Sequence, residues 1–335
     1  MPTLTEVARR AGVSVATVSR FFNDPSVVRE RTRARIQAAV DELDYRPSRV
    51  ARRLRVESGQ SKILGIVIPD IQNPFFADVV RGVEDVAYAN GFALILNNSN
   101  EDPDRQRVCL ETMHTEQVDG VILPSVVEGD PALDRLQKSR VPIVCIDRRL
   151  TGRYLDAVLT DNVRGAREAV QLLIEGGHTR IGYIGGLPHL STSVERRTGY
   201  RLALSQAGIP MDPELVLEAE STQEDGSVLL HDLVNLERPP TAVFIGTSML
   251  SLGVMLSIRA LGLRVPDDMA VVAFDEVPWS RVIDPPLTVV RQPAQEMGKQ
   301  AAEALLARIA DPKLEPREFV LPSELIVRRS CGTGR

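Results

Sequence analysis

Residues 3–55 read TLTEVARRAGVSVATVSRFFNDPSVVRERTRARIQAAVDELDYRPSRVARRLR, and two distinct patterns stand in them back to back. The first pattern spells a small three-helix head. Leu4, Val7, Ala8 and Ala11 share one face of a helix over 4–11 that Thr5 can cap and Gly12 ends. Ser14 caps a second helix, Val15 to about Phe22, with Val15, Val18 and Phe22 placed to face inward. Asn23-Asp24-Pro25 reads as a turn. A third helix, about 30–43, buries Ile36, Ala39, Val40 and Leu43, and Pro47 closes the module.

Helix, tight turn, helix is the pattern that lays its second helix in the DNA major groove. The early residues of that helix then meet base edges. Here they are Val15, Ala16 and Arg20, with Ser14, Thr17 and Ser19 placed for phosphates. An arginine can make the bidentate contact to guanine, worth roughly 1–3 kcal/mol of discrimination. Valine and alanine offer apolar contact to thymine methyls. The competing reading is an ordinary helical bundle with a solvated Arg20; the GVS turn followed by VATVSR favours the DNA reader.

The second pattern, Ser48 to Arg55, is too short for a helix stable on its own. Its arginines (Arg46, Arg49, Arg52, Arg53, Arg55) suit phosphates. Leu54 is either a wedge of the kind that unstacks a minor-groove base step or a packing leucine. Residue type alone favours packing.

Working outward, charge separates this stretch from the rest. Residues 1–62 hold 13 Lys and Arg against 7 Asp and Glu, a net +6, whereas the whole 335-residue chain is −5. A basic head on an acidic body suits a polyanion at one end only. The length predicts two or three domains, and 43% hydrophobic residues allow sizeable cores. No apolar run approaches the ~18 residues that span a membrane. MPTLTEVARR lacks a signal-peptide core, so a cytoplasmic location is expected. Cys109, Cys145 and Cys331 are scattered, as are the four histidines, so no metal site and no cofactor are expected.

From residue 63 short apolar runs alternate with helical patterns. The runs are 63–68, 92–97, 120–124, 142–146, 157–160, 180–185, 241–246, 269–274 and 287–290. Between them lie helical stretches such as 75–89, 103–117, 163–175, 194–207, 248–261 and 294–309. This rhythm predicts parallel sheets covered on both faces, arranged as two doubly wound α/β subdomains. Ligands in such sheets sit at the carboxyl ends of strands, and two subdomains make a cleft there.

The whole chain resembles the lactose-repressor (LacI/GalR) family of bacterial transcription regulators. The matching residues are LTEVARRAGVSVATVSR, YRPSRVARRLR, LGIVIPDIQNPFF, DGVILP, Asp147-Arg148, GGHTRIGYIGG, ERRTGY, VVAFDE, LTVVRQP and ELIVRRS, running from about residue 3 to 330. The resemblance implies a helix-turn-helix domain over 1–46, a hinge segment over 47–61 and an effector-binding, dimerising body over 62–335. The body would divide into an N-subdomain (about 62–160 plus 291–322) and a C-subdomain (about 161–290 plus 323–335), similar to periplasmic sugar-binding proteins. In the family the hinge folds on the operator and its leucine opens a central base step. That role falls on Leu54, with Arg49, Arg52 and Arg55 on the backbone. Ser48 and Arg53 stand where the family commonly has Asn and Ser.

The resemblance also assigns an effector site between the subdomains: Asn73, Phe75 and Phe76, then Asp147 and Arg148, then Arg196, Thr247 and Asp275, with Asp161 and Gln292 near the crossovers. Thr247-Ser248 is a departure, since the family usually has Asn-Asp there. The implied function is a sequence-specific regulator, expected to be a repressor, acting as a homodimer on a pseudo-palindromic operator. A small molecule, a sugar or something like one, would modulate it. Without added leucine heptads after ELIVRRS a dimer is favoured over a tetramer. The alternative is a solute-binding protein of a transport system, which the basic head and missing signal peptide oppose. An enzyme is not expected: no GxSxG, P-loop or HExxH occurs.

Overall fold

Thr3, not Thr5, opens the first helix, α1 (Leu4–Ala11). Its hydroxyl accepts from the Glu6 amide at 3.3 Å, and the Glu6 carboxylate accepts from the Thr3 amide at 2.7 Å. Thr5 is already inside the helix, where a cap has nothing to satisfy. In this computed structural model, residues 2–45, 61–124, 130–150, 152 and 154–332 are described. The chain divides into two units, Met1–Ile63 and Leu64–Arg335.

In the head, Gly12 adopts φ 62° and ends α1. Ser14 caps α2 (Val15–Asn23), and α3 (Glu30–Glu42) completes the module. Val7, Ala8, Ala11, Val18, Val28, Ile36, Ala39 and Tyr45 form its core, with Phe22, Val40 and Leu43 partly buried against them. Val15 is 42% exposed, so it does not face inward as its spacing suggested. Position 15 is the first of its helix, where a side chain overhangs the turn rather than the bundle. Arg35 Nη2 donates to the carbonyls of Ala11 and Gly12, at 2.5 and 3.1 Å, and ties the turn to α3. Hinge residues Arg49, Arg52, Leu54 and Arg55 lie outside the described residues.

The body holds two six-stranded sheets. The first is built from β1 (Ile63–Ile68), β2 (Ala93–Asn98), β3 (Gly120–Leu123), β4 (Ile143–Ile146), β5 (Asp156–Thr160) and β11 (Glu318–Leu321). Its order is β11-β5-β4-β3-β1-β2. The second is built from β6 (Ile181–Gly185), β7 (Val216–Glu218), β8 (Ala242–Ile245), β9 (Ala270–Phe274), β10 (Thr288–Arg291) and β12 (Glu324–Ile326). Its order, β12-β10-β9-β8-β6-β7, repeats the first strand for strand. The difference is at one edge: β11 runs parallel to β5, and β12 antiparallel to β10. All nine apolar runs become strands. The three strands that sequence did not single out, β7, β11 and β12, are short and half-exposed, so burial never forced them into apolar runs.

Helices α4 (Pro74–Ala89), α5 (Pro103–Thr115) and α6 (Pro131–Lys138) belong to the first lobe. Helices α7 (Asn162–Glu175), α8 (Ser191–Gln206), α9 (Gln223–Val234) and α10 (Ser248–Ala260) belong to the second. The chain crosses between lobes after Thr160, after Arg291 and after Leu321, and α11 (Ala294–Ala310) returns to the first lobe's core. There α4 and α11 touch through glycines. A Cβ on Gly82 would stand 2.0 Å from the Gln295 carbonyl oxygen, and one on Gly298 2.1 Å from that of Val79. This contact sets the start of α11 and with it the crossover that carries Gln292. Among the described residues, no helix is long and apolar enough to cross a membrane.

Candidate nucleic-acid interface and ligand cleft

On the head, Val15, Ala16 and Arg20 are all exposed on α2. Two arginines have structural duties: Arg10 pairs with Glu42 at 2.6 Å, and Arg35 holds the turn. Arg20 reaches solvent instead. Ser14 accepts from the Thr17 amide at 3.1 Å, and the two hydroxyls lie 2.8 Å apart. Both therefore sit at the α2 N-terminus, where partial positive charge favours a phosphate. Ser19 is half-buried on the same helix.

In the body, a cavity of about 580 Å³ opens at the carboxyl ends of both sheets. From the first lobe it is lined by Asn73, Phe75, Phe76, Asp147 and Arg148, and from the second by Arg196, Thr247 and Asp275, with Gln292 at a crossover. Asp161 is not in this lining; its carboxylate caps α7 by accepting from the Arg164 amide at 3.0 Å. Its neighbour Asn162, which sequence reasoning passed over, is the buried one, and its Oδ1 accepts from Arg196 Nε at 2.9 Å. A one-residue step along a helix start turns a side chain from solvent to interior, and only packing reveals which way.

Phe75 and Phe76 belong to the first lobe's core while also lining the cavity, their rings edge to face with centroids 5.0 Å apart. Asn73 caps α4, its Oδ1 accepting from the Phe75 amide at 3.1 Å. The same oxygen accepts from Ser248 Oγ at 3.2 Å, across the cleft from α10. Thr247 Oγ1 caps α10. The departing dipeptide thus contributes one cap and one contact between lobes.

Asp147 and Asp275 occupy matching places. Each follows the fourth strand of its lobe, at φ 66° and 74°, in the left-handed region that aspartate tolerates better than most residues. Each donates its amide 2.9 Å to a carbonyl on the next strand, Val158 and Val290. Both carboxylates are buried. Burial pushes the Asp147 carboxyl up to about 6, against the pull of Arg148 and Arg196 and with help from Asp275 and Glu101. Arg148 is buried too, which disfavours its charge, yet its pairing with Glu101 holds it above the ordinary arginine value. That pair is bidentate, 2.7 and 2.6 Å. Glu101 was missed in the sequence because nothing but this contact marks it. Arg196 donates to the Gly246 carbonyl at 2.6 Å and lies 3.8 Å over the Phe274 ring, with Asp275 at 3.9 Å. Gln292 Nε2 donates to Asp275 at 2.6 Å, leaving its buried Oε1 without a protein partner among the described residues.

Residues 3–48 match the bacterial regulatory proteins of the lacI family, and residues 170–331 match a periplasmic binding protein-like domain. The HTH-type transcriptional repressor PurR of Yersinia pestis bv. Antiqua (strain Antiqua) is 35% identical over 336 residues, covering 100% of this chain and 98% of the relative. The solved transcriptional regulator CelR–cellobiose complex is 34% identical with TM-score 0.74, over 98% of this chain and 100% of that one. The lac repressor dimer, solved bound to operator and the anti-inducer ONPF, aligns with TM-score 0.85 at 25% identity, over 98% and 99% of the two chains.

Proposed function

Because the chain belongs to the lacI family of bacterial regulatory proteins, and so is an effector-modulated DNA-binding transcription regulator, we propose that it represses transcription from a pseudo-palindromic operator as a homodimer. The observation that carries this is the joining, in one chain, of an exposed α2 face (Val15, Ala16, Arg20) to a two-lobed cleft lined by polar side chains from both lobes. In this reading residues 1–46 read the major groove, the hinge over 47–61 reaches the minor groove through Leu54, and the body over 62–335 senses the ligand. The cleft then holds a sugar or sugar-like effector through Asn73, Phe75, Asp147, Arg148, Arg196, Asp275 and Gln292. CelR carries cellobiose in its solved complex, which supports a carbohydrate for this cleft as well. Ligand acts by binding the two lobe arrangements with different affinity, which is the only way a distant site can shift DNA binding. The ligand is released unchanged, and the protein works in the cytoplasm, where its operator lies.

The test is selection of duplexes from a random DNA library by the full chain, followed by anisotropy titration at several salt concentrations. A two-fold-symmetric site is expected, with affinity falling steeply as salt rises. Arg20→Ala should relax discrimination at one base pair by about 1–3 kcal/mol. No preference over random duplex would sink the reading. A transport role would need the body to act without the head, and the folded reading helix speaks against it.

A further inference from the structure

We propose that the cleft accepts an uncharged, hydroxyl-rich molecule and excludes the same molecule once it carries a phosphate or carboxylate. This rests on reading the cleft as the effector site, and it narrows the chemistry that site can take. Among the described residues, the lining holds six carboxylates (Asp70, Glu101, Asp102, Asp147, Glu220 and Asp275) against two guanidiniums, Arg148 and Arg196.

Arg148 is already paired with carboxylates, and Arg196 is engaged through Nε and Nη1, with Asp275 at 3.9 Å. Each terminal nitrogen of Arg148 donates to Glu101, and its buried Nε faces Asp147 at 3.4 Å without a hydrogen bond. Arg196 is committed to Asn162 and the Gly246 carbonyl, with its face on Phe274. A phosphate ester brings about −1.5 to −2 charges. It would have to shed water beside carboxylates that outnumber the cations, with Arg148 already paired to Glu101 and Asp275 standing next to Arg196.

One feature pulls the other way. The N-terminus of α8 has no side-chain cap, and the buried Thr192 and Ser193 hydroxyls line the cavity beside it. A helix terminus carries roughly half a unit charge. That is small against a formal excess of four carboxylates. Hydroxyl groups fit the remaining valences better. They donate to Asp147, Asp275 and the unpartnered Gln292 Oε1, and accept from whatever donor hydrogens the arginines retain.

The experiment titrates the full chain by calorimetry with matched pairs: ribose and ribose 5-phosphate, glucose and glucose 6-phosphate, adenosine and its 5′-monophosphate. At least one neutral member should bind, about tenfold or more tighter than its phosphate ester. The Glu101→Gln variant, which frees Arg148, should narrow that gap. A phosphate ester binding the unaltered protein as tightly as its parent sinks the charge argument while leaving the effector site standing. An unchanged gap in Glu101→Gln overturns neutralised arginine as the cause. Silence from both members of every pair removes the effector reading itself, and this inference with it.

Discussion

In the first lobe the acid at the cleft, Asp147, stands beside an arginine that its own lobe has already neutralised through Glu101. In the second lobe the matching acid, Asp275, stands beside Gln292, which arrives on a crossover, and 3.9 Å from an arginine bonded to main chain. Strand order, position and backbone conformation are the same in both lobes. The difference lies in what holds each cation. Arg148 pairs with the carboxylates of Glu101 and Asp147, so it sets charge. Arg196 spans Asn162 at the lobe crossing and Gly246 at the end of β8, so it also holds structure.

The largest effect should therefore come from the second lobe. Arg196→Met is expected to lower ligand affinity by about 100-fold and to destabilise the body by about 3 kcal/mol, since it leaves a buried amide and carbonyl unpaired. Arg148→Met should lose affinity with a smaller drop in melting temperature. Equal melting losses in the two variants, followed by calorimetry, would erase the distinction.

Asp147 provides the next test. Its folded-state pKa, about 6, lies above the ordinary carboxylate value, so the native state holds that proton more tightly than the unfolded chain. Its favourable contribution is full below the ordinary carboxylate range and is lost as pH rises through about 6. Asp147→Asn, which keeps a residue suited to its left-handed backbone, should be more stable than the parent at pH 7.5 by up to about 3 kcal/mol. It should also flatten the stability profile between about pH 4 and 6. Ligand hydroxyls prefer the ionised carboxylate, so effector affinity of the unaltered chain should climb from pH 5 to pH 7 with proton release. Calorimetry in buffers of different ionisation enthalpy reads this directly, and a flat profile contradicts the assignment.

Gly298→Ala asks whether the first lobe depends on how α11 sits. The added methyl has no room beside Val79, and a loss of about 2 kcal/mol in urea unfolding is expected. The smallest effect belongs to Ser248→Ala. It removes the hydrogen bond to Asn73 that joins the lobes, for about 1 kcal/mol or less. Scattering of the ligand-free variant should show a wider distribution of lobe separations; an unchanged profile means the bond does not restrain the cleft.

Much of this architecture was legible before any coordinates. Apolar runs such as ILGIVI and MAVVAF have to be buried on both faces, so periodicity alone finds them. The three helices and the turn of the head were equally plain, being local signals, although Thr3 rather than Thr5 caps α1 and Val15 faces solvent. Three features belong to tertiary structure alone. The doubled strand order leaves no repeat in the sequence, since a parallel sheet constrains hydrophobicity rather than identity. The choice of Asn162 over Asp161, and the discovery of Glu101, turned on partners far along the chain. The left-handed backbone that brings Asp147 and Asp275 to equivalent places is set by the strands beside them. Local pattern thus determined the helices of the head and the nine strands built on apolar runs, but not the half-exposed β7, β11 and β12. Long-range packing decided which charges meet in the cleft, because a carboxylate's role depends on the neighbour that neutralises it.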